Sequence, residues 1–214
     1  MRTRPPIGRL HVLTDVHFQQ RVWHAEIARR AAAGGADTVQ FRQKTGTARD
    51  RLAGLRPTVA ACREAGVLCL VDDHLDLALA AGADGVHLGA LDLPIADARA
   101  VLDGRGGGIV GATATTAAAA RTAEADGADY VGFGPVFPTA SKANPARVKG
   151  LVGLAEACAA VSIPVVAIAG ITPERVGPCL DAGAWGVAVM TAVTTAPDIE
   201  AAAARFREAV ERWR

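Results

Sequence analysis

Three short groups of polar residues carry most of the chemistry this chain could do: Gln40, Arg42 and Lys44; Asp72 and Asp73; and Asp92. In an extended strand side chains alternate, so Gln40, Arg42 and Lys44 would project from one side and Phe41 and Gln43 from the other. If the segments ending in Asp73 and leading to Asp92 are neighbours in a parallel sheet, their axes lie about 4.8 Å apart and both carboxylates can approach one ion. Hard oxygen ligands suit Mg²⁺, which is held by one or two carboxylates while phosphate oxygens and water complete its octahedron. Arg42 and Lys44 would neutralise the remaining charge of a pyrophosphate. Taken singly, an Asp after a strand also reads as a helix N-cap, and Arg42 or Lys44 as surface charge. Three consecutive strand ends terminating in charge favour a shared anion and metal site.

A second set of residues has no charge. Ala167-Ile168-Ala169-Gly170-Ile171 and Val189-Met190-Thr191-Ala192 end two apolar runs, and Gly170 would let main chain approach a phosphate closely, a plain turn glycine being the alternative. The segment from Gly134 to about Gly150 is the longest connection and offers Thr139, Ser141 and Lys142 as donors, with Lys142 read as an anion ligand rather than a solvated loop lysine. Other features carry less. Gly104-Arg105-Gly106-Gly107-Gly108 lies between a helix and a strand, the reverse of the order a phosphate cradle needs. His11, His17, His24, His74 and His87 lack metal-ligand spacing, and His87 reads as a hydrogen-bonded core residue. No nucleophilic triad stands out.

The elements that must position these groups repeat. Gly35-Ala36-Asp37, Gly82-Ala83-Asp84, Gly127-Ala128-Asp129 and Gly183-Ala184-Trp185 each close a helix-like run and lead into β-branched residues. Working outward, strands are expected at Leu10 to Thr14, Thr38 to Arg42, Leu68 to Asp72, Gly85 to Leu88, Ile109 to Ala112, Tyr130 to Gly134, Val165 to Ala169 and Gly186 to Met190. Helical stretches such as Ala48 to Ala65 and Leu151 to Ala160 lie between them, and Thr172-Pro173 reads as an N-cap with proline at the first helical position. Strict βα alternation with eight strands predicts a single-domain (β/α)8 TIM barrel over residues 1–214 in preference to an open doubly wound sheet. At 214 residues there is little length for a second domain, and 50% hydrophobic with only 4% aromatic residues predicts a core of Ala, Val, Leu and Ile. Active sites of such barrels lie at the carboxyl ends of the strands, where the polar groups above collect.

Composition excludes several partners. A net charge of +1, from 23 basic and 22 acidic residues, makes no field for a polyanion, and the few aromatics make no stacking platform, so nucleic acid is not expected. Cys62, Cys69, Cys158 and Cys179 show no C-x-x-C spacing and read as reduced structural thiols. No apolar run reaches membrane-spanning length, and a cytoplasmic location is expected. Partners should be small molecules; association with further copies of the chain is open.

Together, Val39-Gln40-Phe41-Arg42-Gln43-Lys44, Asp72-Asp73 before His74-Leu75-Asp76-Leu77-Ala78, Gly85-Val86-His87-Leu88-Gly89 leading to Asp92, and Gly132-Phe133-Gly134-Pro135-Val136-Phe137-Pro138-Thr139-Ala140-Ser141-Lys142 resemble the thiamine phosphate synthase family over nearly the whole chain. The resemblance implies a transferase of thiamine biosynthesis that condenses a hydroxymethylpyrimidine diphosphate with a thiazole phosphate and releases pyrophosphate. It implies Gln40, Arg42, Lys44 and Asp72 at the pyrimidine diphosphate, Asp73 and Asp92 on Mg²⁺, and Thr113 and Lys142 at the diphosphate. Arg42, Lys44 and Lys142 would act on the leaving charge, while Thr139, Ser141, Gly170, Met190 and Thr191 would line the thiazole phosphate. Departures are Asp72 where the family usually has Asn, Ala90 where Gln is frequent, Thr113 where Ser is common, and Ala169 for the first of a usual glycine pair. A sister activity on the same barrel, a thiazole tautomerase, carries a histidine where this chain has Thr115. A barrel that only binds a phosphorylated ligand is the non-enzymatic alternative.

Overall fold

A computed structural model describes residues 7–139, 141 and 147–213. Eight parallel strands form a closed barrel in sequence order: β1 (Leu10–Thr14), β2 (Thr38–Phe41), β3 (Leu68–Asp72), β4 (Gly85–Leu88), β5 (Ile109–Ala114), β6 (Tyr130–Phe133), β7 (Val165–Ile168) and β8 (Gly186–Val189). Closure pairs β1 with β8, Leu10 against Val187 and Val12 against Val189. The helices are α1 (His24–Ala33), α2 (Ala48–Ala65), α3 (Leu75–Ala81), α4 (Ile95–Asp103), α5 (Ala117–Ala125), α6 (Gly150–Ala160), α7 (Pro173–Asp181), a short α8 (Thr191–Thr194) and α9 (Ile199–Arg212). All eight expected strands exist. β2, β6, β7 and β8 each stop one residue earlier than expected and β5 runs two further, to Ala114. Thr172 is the N-cap of α7 with Pro173 at the first turn, although its hydroxyl makes no capping bond to the helix backbone.

Alternation along the strands sorts the side chains into two populations. Leu10, Val12, Val39, Phe41, Cys69, Val71, Val86, Leu88, Val110, Ala112, Val131, Phe133, Val165, Ala167, Val187 and Val189 pack outward in clusters with the apolar faces of the helices. Period two then turns His11, Leu13, Gln40, Leu70, Asp72, His87, Thr113, Tyr130, Gly132, Val166, Ile168 and Ala188 into the barrel. The lower interior is apolar, with Leu70, Ile109, Tyr130 and Val166 in mutual contact.

The four repeated junctions all precede even-numbered strands, and their glycines Gly35, Gly82, Gly127 and Gly183 take φ of 91°, 68°, 95° and 95°. Only glycine enters that left-handed region without steric cost, which is why the repeat carries it. The following aspartate has a job not legible from one copy. Asp37 accepts from the amides of Arg9 and Leu10 at 2.9 Å, Asp84 from Cys69 at 2.7 Å and Asp129 from Val110 at 2.8 Å. Each carboxylate thus satisfies the opening amides of the odd-numbered strand beside it. In the fourth copy Trp185 replaces the acid: its indole donates to the Ile7 carbonyl at 2.8 Å, and its own carbonyl accepts from Arg9 Nε at 2.9 Å, joining β8 to β1. The Gly104–Gly108 turn lies on this amino-terminal face between α4 and β5, as the helix-to-strand order required.

Asp129 is 4% exposed and also pairs with Arg99. Asp129→Ala would orphan the Val110 amide and remove the buried carboxylate from Arg99, which keeps its bonds to the Gly108 and Gly127 carbonyls, so it is expected to lower unfolding free energy by about 3 kcal/mol. Urea denaturation checks this, and a loss below about 1 kcal/mol would show that water replaces the carboxylate without penalty.

Candidate functional site

A cavity of about 700 Å³ opens at the carboxyl ends of the strands, and Gln40, Arg42, Lys44, Asp72, Asp73, Asp92, Thr113, Thr139, Ser141, Gly170, Met190 and Thr191 all line it. Every site residue expected from the sequence is therefore in one cavity except Lys142, which lies outside the described residues. Its floor is made by the inward side chains of β1, β4, β6, β7 and β8, among them Leu13, His87, Tyr130, Ile168 and Ala188.

One wall is charged. Lys44 Nζ lies 2.6 Å from Asp72 Oδ2 and 2.5 Å from Asp73 Oδ2, and Gln40 Nε2 donates to Asp72 Oδ1 at 2.7 Å. Arg42 reaches Asp72 Oδ2 with Nε at 3.5 Å and ion-pairs with Asp15 at the end of β1. Asp72 thus holds the three polar side chains of the β2 end rather than standing open to an anion. Burial pushes its pKa above the ordinary carboxylate value despite the attraction of Lys44. Burial also works against Asp73, but the hydrogen bond and charge of Lys44 outweigh it and its pKa is lowered. For Lys44 itself, burial would release the proton, and the Asp72 carboxylate overrides it, so the ammonium is held above its ordinary range.

Asp73 stands just past β3 with φ of 66°, in a region that Asp tolerates better than most residues. That backbone turn brings its carboxylate close enough to Asp92 for the two to shift each other's titration. Asp92 also accepts from the Gly89 amide at 2.7 Å. Burial and the neighbouring Asp73 raise the Asp92 pKa above the ordinary carboxylate value, while the Gly89 amide works against that rise. Among the described residues three carboxylates, Asp72, Asp73 and Asp92, and two cations, Arg42 and Lys44, line this wall, with buried Asp15 paired to Arg42 behind it. A surplus of negative charge repels a diphosphate unless a cation intervenes. Among the described residues no group of three or more His, Cys, Asp or Glu is arranged to hold a metal; an ion on the Asp73 and Asp92 pair would need substrate oxygens and water to complete its shell. The donor set fits Mg²⁺.

The opposite wall is neutral. Thr139 Oγ1 donates to Ser141 Oγ at 3.2 Å, and Ser141 Oγ is 3.2 Å from Thr191 Oγ1. Gly170 has φ of 66°, and a Cβ there would lie 2.4 Å from the Pro138 carbonyl, so no larger residue fits the cup. Arg175 donates to the Gly170 carbonyl at 2.6 Å and stacks on Phe137 at 4.5 Å, tying the start of α7 to the loop after β6. Ala169 sits beside it at φ 73°, a conformation costing a non-glycine residue about 1–2 kcal/mol. Thr191 opens α8 directly after β8.

Two contributors escaped the sequence reading. Asp15, the partner of Arg42, looked like an ordinary residue after β1. His87 is the hydrogen-bonded core residue expected, yet it also lines the cavity, with Nε2 2.9 Å from Thr113 Oγ1 and Nδ1 2.8 Å from the Tyr130 hydroxyl. Strand alternation between Val86 and Leu88 was the available signal. Thr115, where a tautomerase would carry histidine, also lines the cavity.

The chain is similar to known proteins over nearly its whole length. A sequence profile described as thiamine monophosphate synthase matches residues 10–193. A thiamine-phosphate synthase of Salinibacter ruber is 56% identical over 98% of this chain and 92% of its own length. Another from Methanoculleus marisnigri is 46% identical over 94% of each chain. The structure of thiamine phosphate pyrophosphorylase from Pyrococcus furiosus superposes with a TM-score of 0.87 at 39% identity, covering 95% of this chain and 96% of the other.

Burial lowers His11, His24 and His87 from the ordinary value of 6.5 to about 4. In this window the unfolded chain binds more protons than the folded one, so stability is complete above about pH 6.5 and falls as pH drops toward 4. Each group contributes a slope of about 1.4 kcal/mol per pH unit, so the urea midpoint should decline steeply from pH 7 to pH 5. An unchanged midpoint over that range would mean that these rings are protonated in the fold.

Proposed function

The chain belongs to the thiamine monophosphate synthase family, and from its site we infer how it acts as a thiamine-phosphate synthase, a transferase of thiamine biosynthesis. The reaction joins 4-amino-2-methyl-5-hydroxymethylpyrimidine diphosphate to a thiazole phosphate, giving thiamine phosphate and pyrophosphate. What carries this reading is the asymmetry of the cavity, with ion-paired Lys44 and Arg42 and the carboxylates of Asp73 and Asp92 on one side and hydroxyls with a glycine cup on the other. A diphosphate matches the first wall and a monophosphate the second, leaving the two rings to meet over the apolar floor.

In this mechanism the C–O bond to pyrophosphate breaks, its electron pair leaves with the diphosphate, and the thiazole nitrogen supplies the pair that forms the new C–N bond. Gln40, Arg42, Lys44, Thr113 and Lys142 bind and stabilise the leaving diphosphate, and Asp72 keeps the β2 side chains extended toward it. Asp73 and Asp92 hold Mg²⁺, which when bound neutralises charge on the departing oxygens. Thr139, Ser141, Gly170, Met190 and Thr191 seat the thiazole phosphate through hydroxyls and main chain. A cytoplasmic location is supported by the four free cysteines, and no described helix is long and apolar enough to cross a membrane.

Incubation with both phosphorylated heterocycles and Mg²⁺ should yield pyrophosphate and thiamine phosphate in equal amounts. An isomerised thiazole alone would point to a tautomerase, and tight binding without conversion to a regulatory barrel. Asp92→Ala and Asp92→Asn are expected to lower kcat/KM by roughly 100-fold or more while the unfolding free energy changes by about 1 kcal/mol at most, because the residue lies beyond a strand end rather than in the core. Full activity of Asp92→Asn after chelation of divalent ions would remove the metal from the mechanism.

A further inference from the structure

The interior of the barrel carries a polar chain of which the reaction as described uses only the last member, Thr113. Tyr130, at the start of β6, is 2% exposed, and its hydroxyl has one hydrogen-bond partner among the described residues, His87 Nδ1 at 2.8 Å. The other imidazole nitrogen, Nε2, is 2.9 Å from Thr113 Oγ1 on β5. Thr113 in turn lines the cavity, and its hydroxyl has no further hydrogen-bond partner among the described residues.

The directions of these bonds follow from counting donors. A buried phenol proton must be given to an acceptor, and the one within reach is His87 Nδ1. That nitrogen therefore carries the lone pair, and a neutral imidazole must carry its proton on Nε2. Nε2–H then donates to Thr113 Oγ1. With its oxygen already accepting from the histidine, the threonine hydroxyl has its own proton free to point into the cavity.

Space for the chain is made deliberately by missing side chains. A Cβ at Gly111 would lie 2.3 Å from the Tyr130 ring, and one at Gly132 would lie 3.0 Å from His87 Cε1. Both glycines have ordinary strand conformations, since neither is among those of positive φ, so close packing against the ring and the imidazole explains them.

We propose that Tyr130 and His87 are positioning residues that lock Thr113 as a one-way hydrogen-bond donor aimed at an anionic oxygen of the pyrimidine diphosphate. The locked direction matters because a threonine free to rotate can spend its proton on the imidazole instead. It also sets a preference: the Thr113 proton is kept available for a charged oxygen, and one of the two lone pairs on its oxygen is already taken by the imidazole. This rests on placing the diphosphate beside Thr113, as above, whereas the direction of the chain rests on the unliganded geometry alone.

Two measurements separate those levels. Nitrogen-15 NMR of the histidine rings in the unliganded wild-type protein should find His87 as the Nε2–H tautomer; the Nδ1–H tautomer would overturn the relay whatever the enzyme catalyses. In steady-state kinetics Thr113→Val should lower kcat/KM for the pyrimidine diphosphate by about 10- to 100-fold, and Thr113→Ser should retain most activity. Tyr130→Phe keeps the ring packing and removes only the pinning proton, so a loss of about threefold to tenfold is expected, with the KM for thiazole phosphate unchanged. In the Thr113→Val background Tyr130→Phe should have no further effect, since a residue that acts through Thr113 has nothing left to act on. Independent, multiplying losses in the double variant, or full activity of Tyr130→Phe, would overturn the proposal. A wild-type enzyme that makes no thiamine phosphate would defeat the functional reading and leave the tautomer result standing.

Discussion

A lysine ammonium between two neighbouring carboxylates holds the site together. Lys44 touches both Asp72 and Asp73, while Asp72 also engages Gln40 and Arg42, and Arg42 continues to Asp15. The ends of β1, β2 and β3 are thereby tied by charge at a point where regular sheet pairing stops. Buried ions are costly unless each has a partner, so the network can exist only as a set: losing one member leaves another uncompensated. Its surplus of carboxylates is the same fact seen from the cavity. In the proposed reaction that charge would be offset by a divalent cation entering together with the diphosphate.

The barrel supplies the geometry that this network needs. Because successive strand residues point to opposite faces, alternate side chains of eight strands meet in a single interior, and those past the strand ends meet at its rim. The two faces of the barrel then do different work. Aspartates of the repeated junction satisfy strand amides at the amino-terminal end, whereas aspartates at the opposite end are coupled to each other and to Lys44. The same residue type is structural below and available to a ligand above.

Strain and close packing concentrate on the functional side. Asp73 and Ala169 are the non-glycine residues of positive φ among the described residues, and both stand just beyond strand ends at the cavity. Asp73 uses the unusual backbone to swing its carboxylate toward Asp92, and Ala169 sets the approach to the Gly170 cup. Glycines at 111 and 132 play a different part, leaving volume in which Tyr130 and His87 lie beneath Thr113.

Much of this was legible in the linear chain. Strand positions followed from β-branched runs after helix-closing glycines, and the inward side of Gln40, Arg42 and Lys44 followed from period two, because both signals are local. The strand ends were displaced by one or two residues, since pairing with a neighbour rather than propensity decides where a strand stops. Asp72 shows the limit more sharply. Its position at the site was readable, but not that its oxygens would be engaged by Gln40, Lys44 and Arg42, a matter of side chains arriving from another strand.

By itself the sequence determined the fold class, the carboxyl-end rim and the residue types gathered there, because alternation, junction glycines and composition depend on near neighbours in the chain. Only the tertiary structure decided which charges pair, that Asp73 and Asp92 shift each other's titration, and that Tyr130, His87 and Thr113 form one hydrogen-bonded chain. Those outcomes turn on ångström distances and burial between residues far apart in the chain, where the cost of an unpaired charge or donor depends on everything around it.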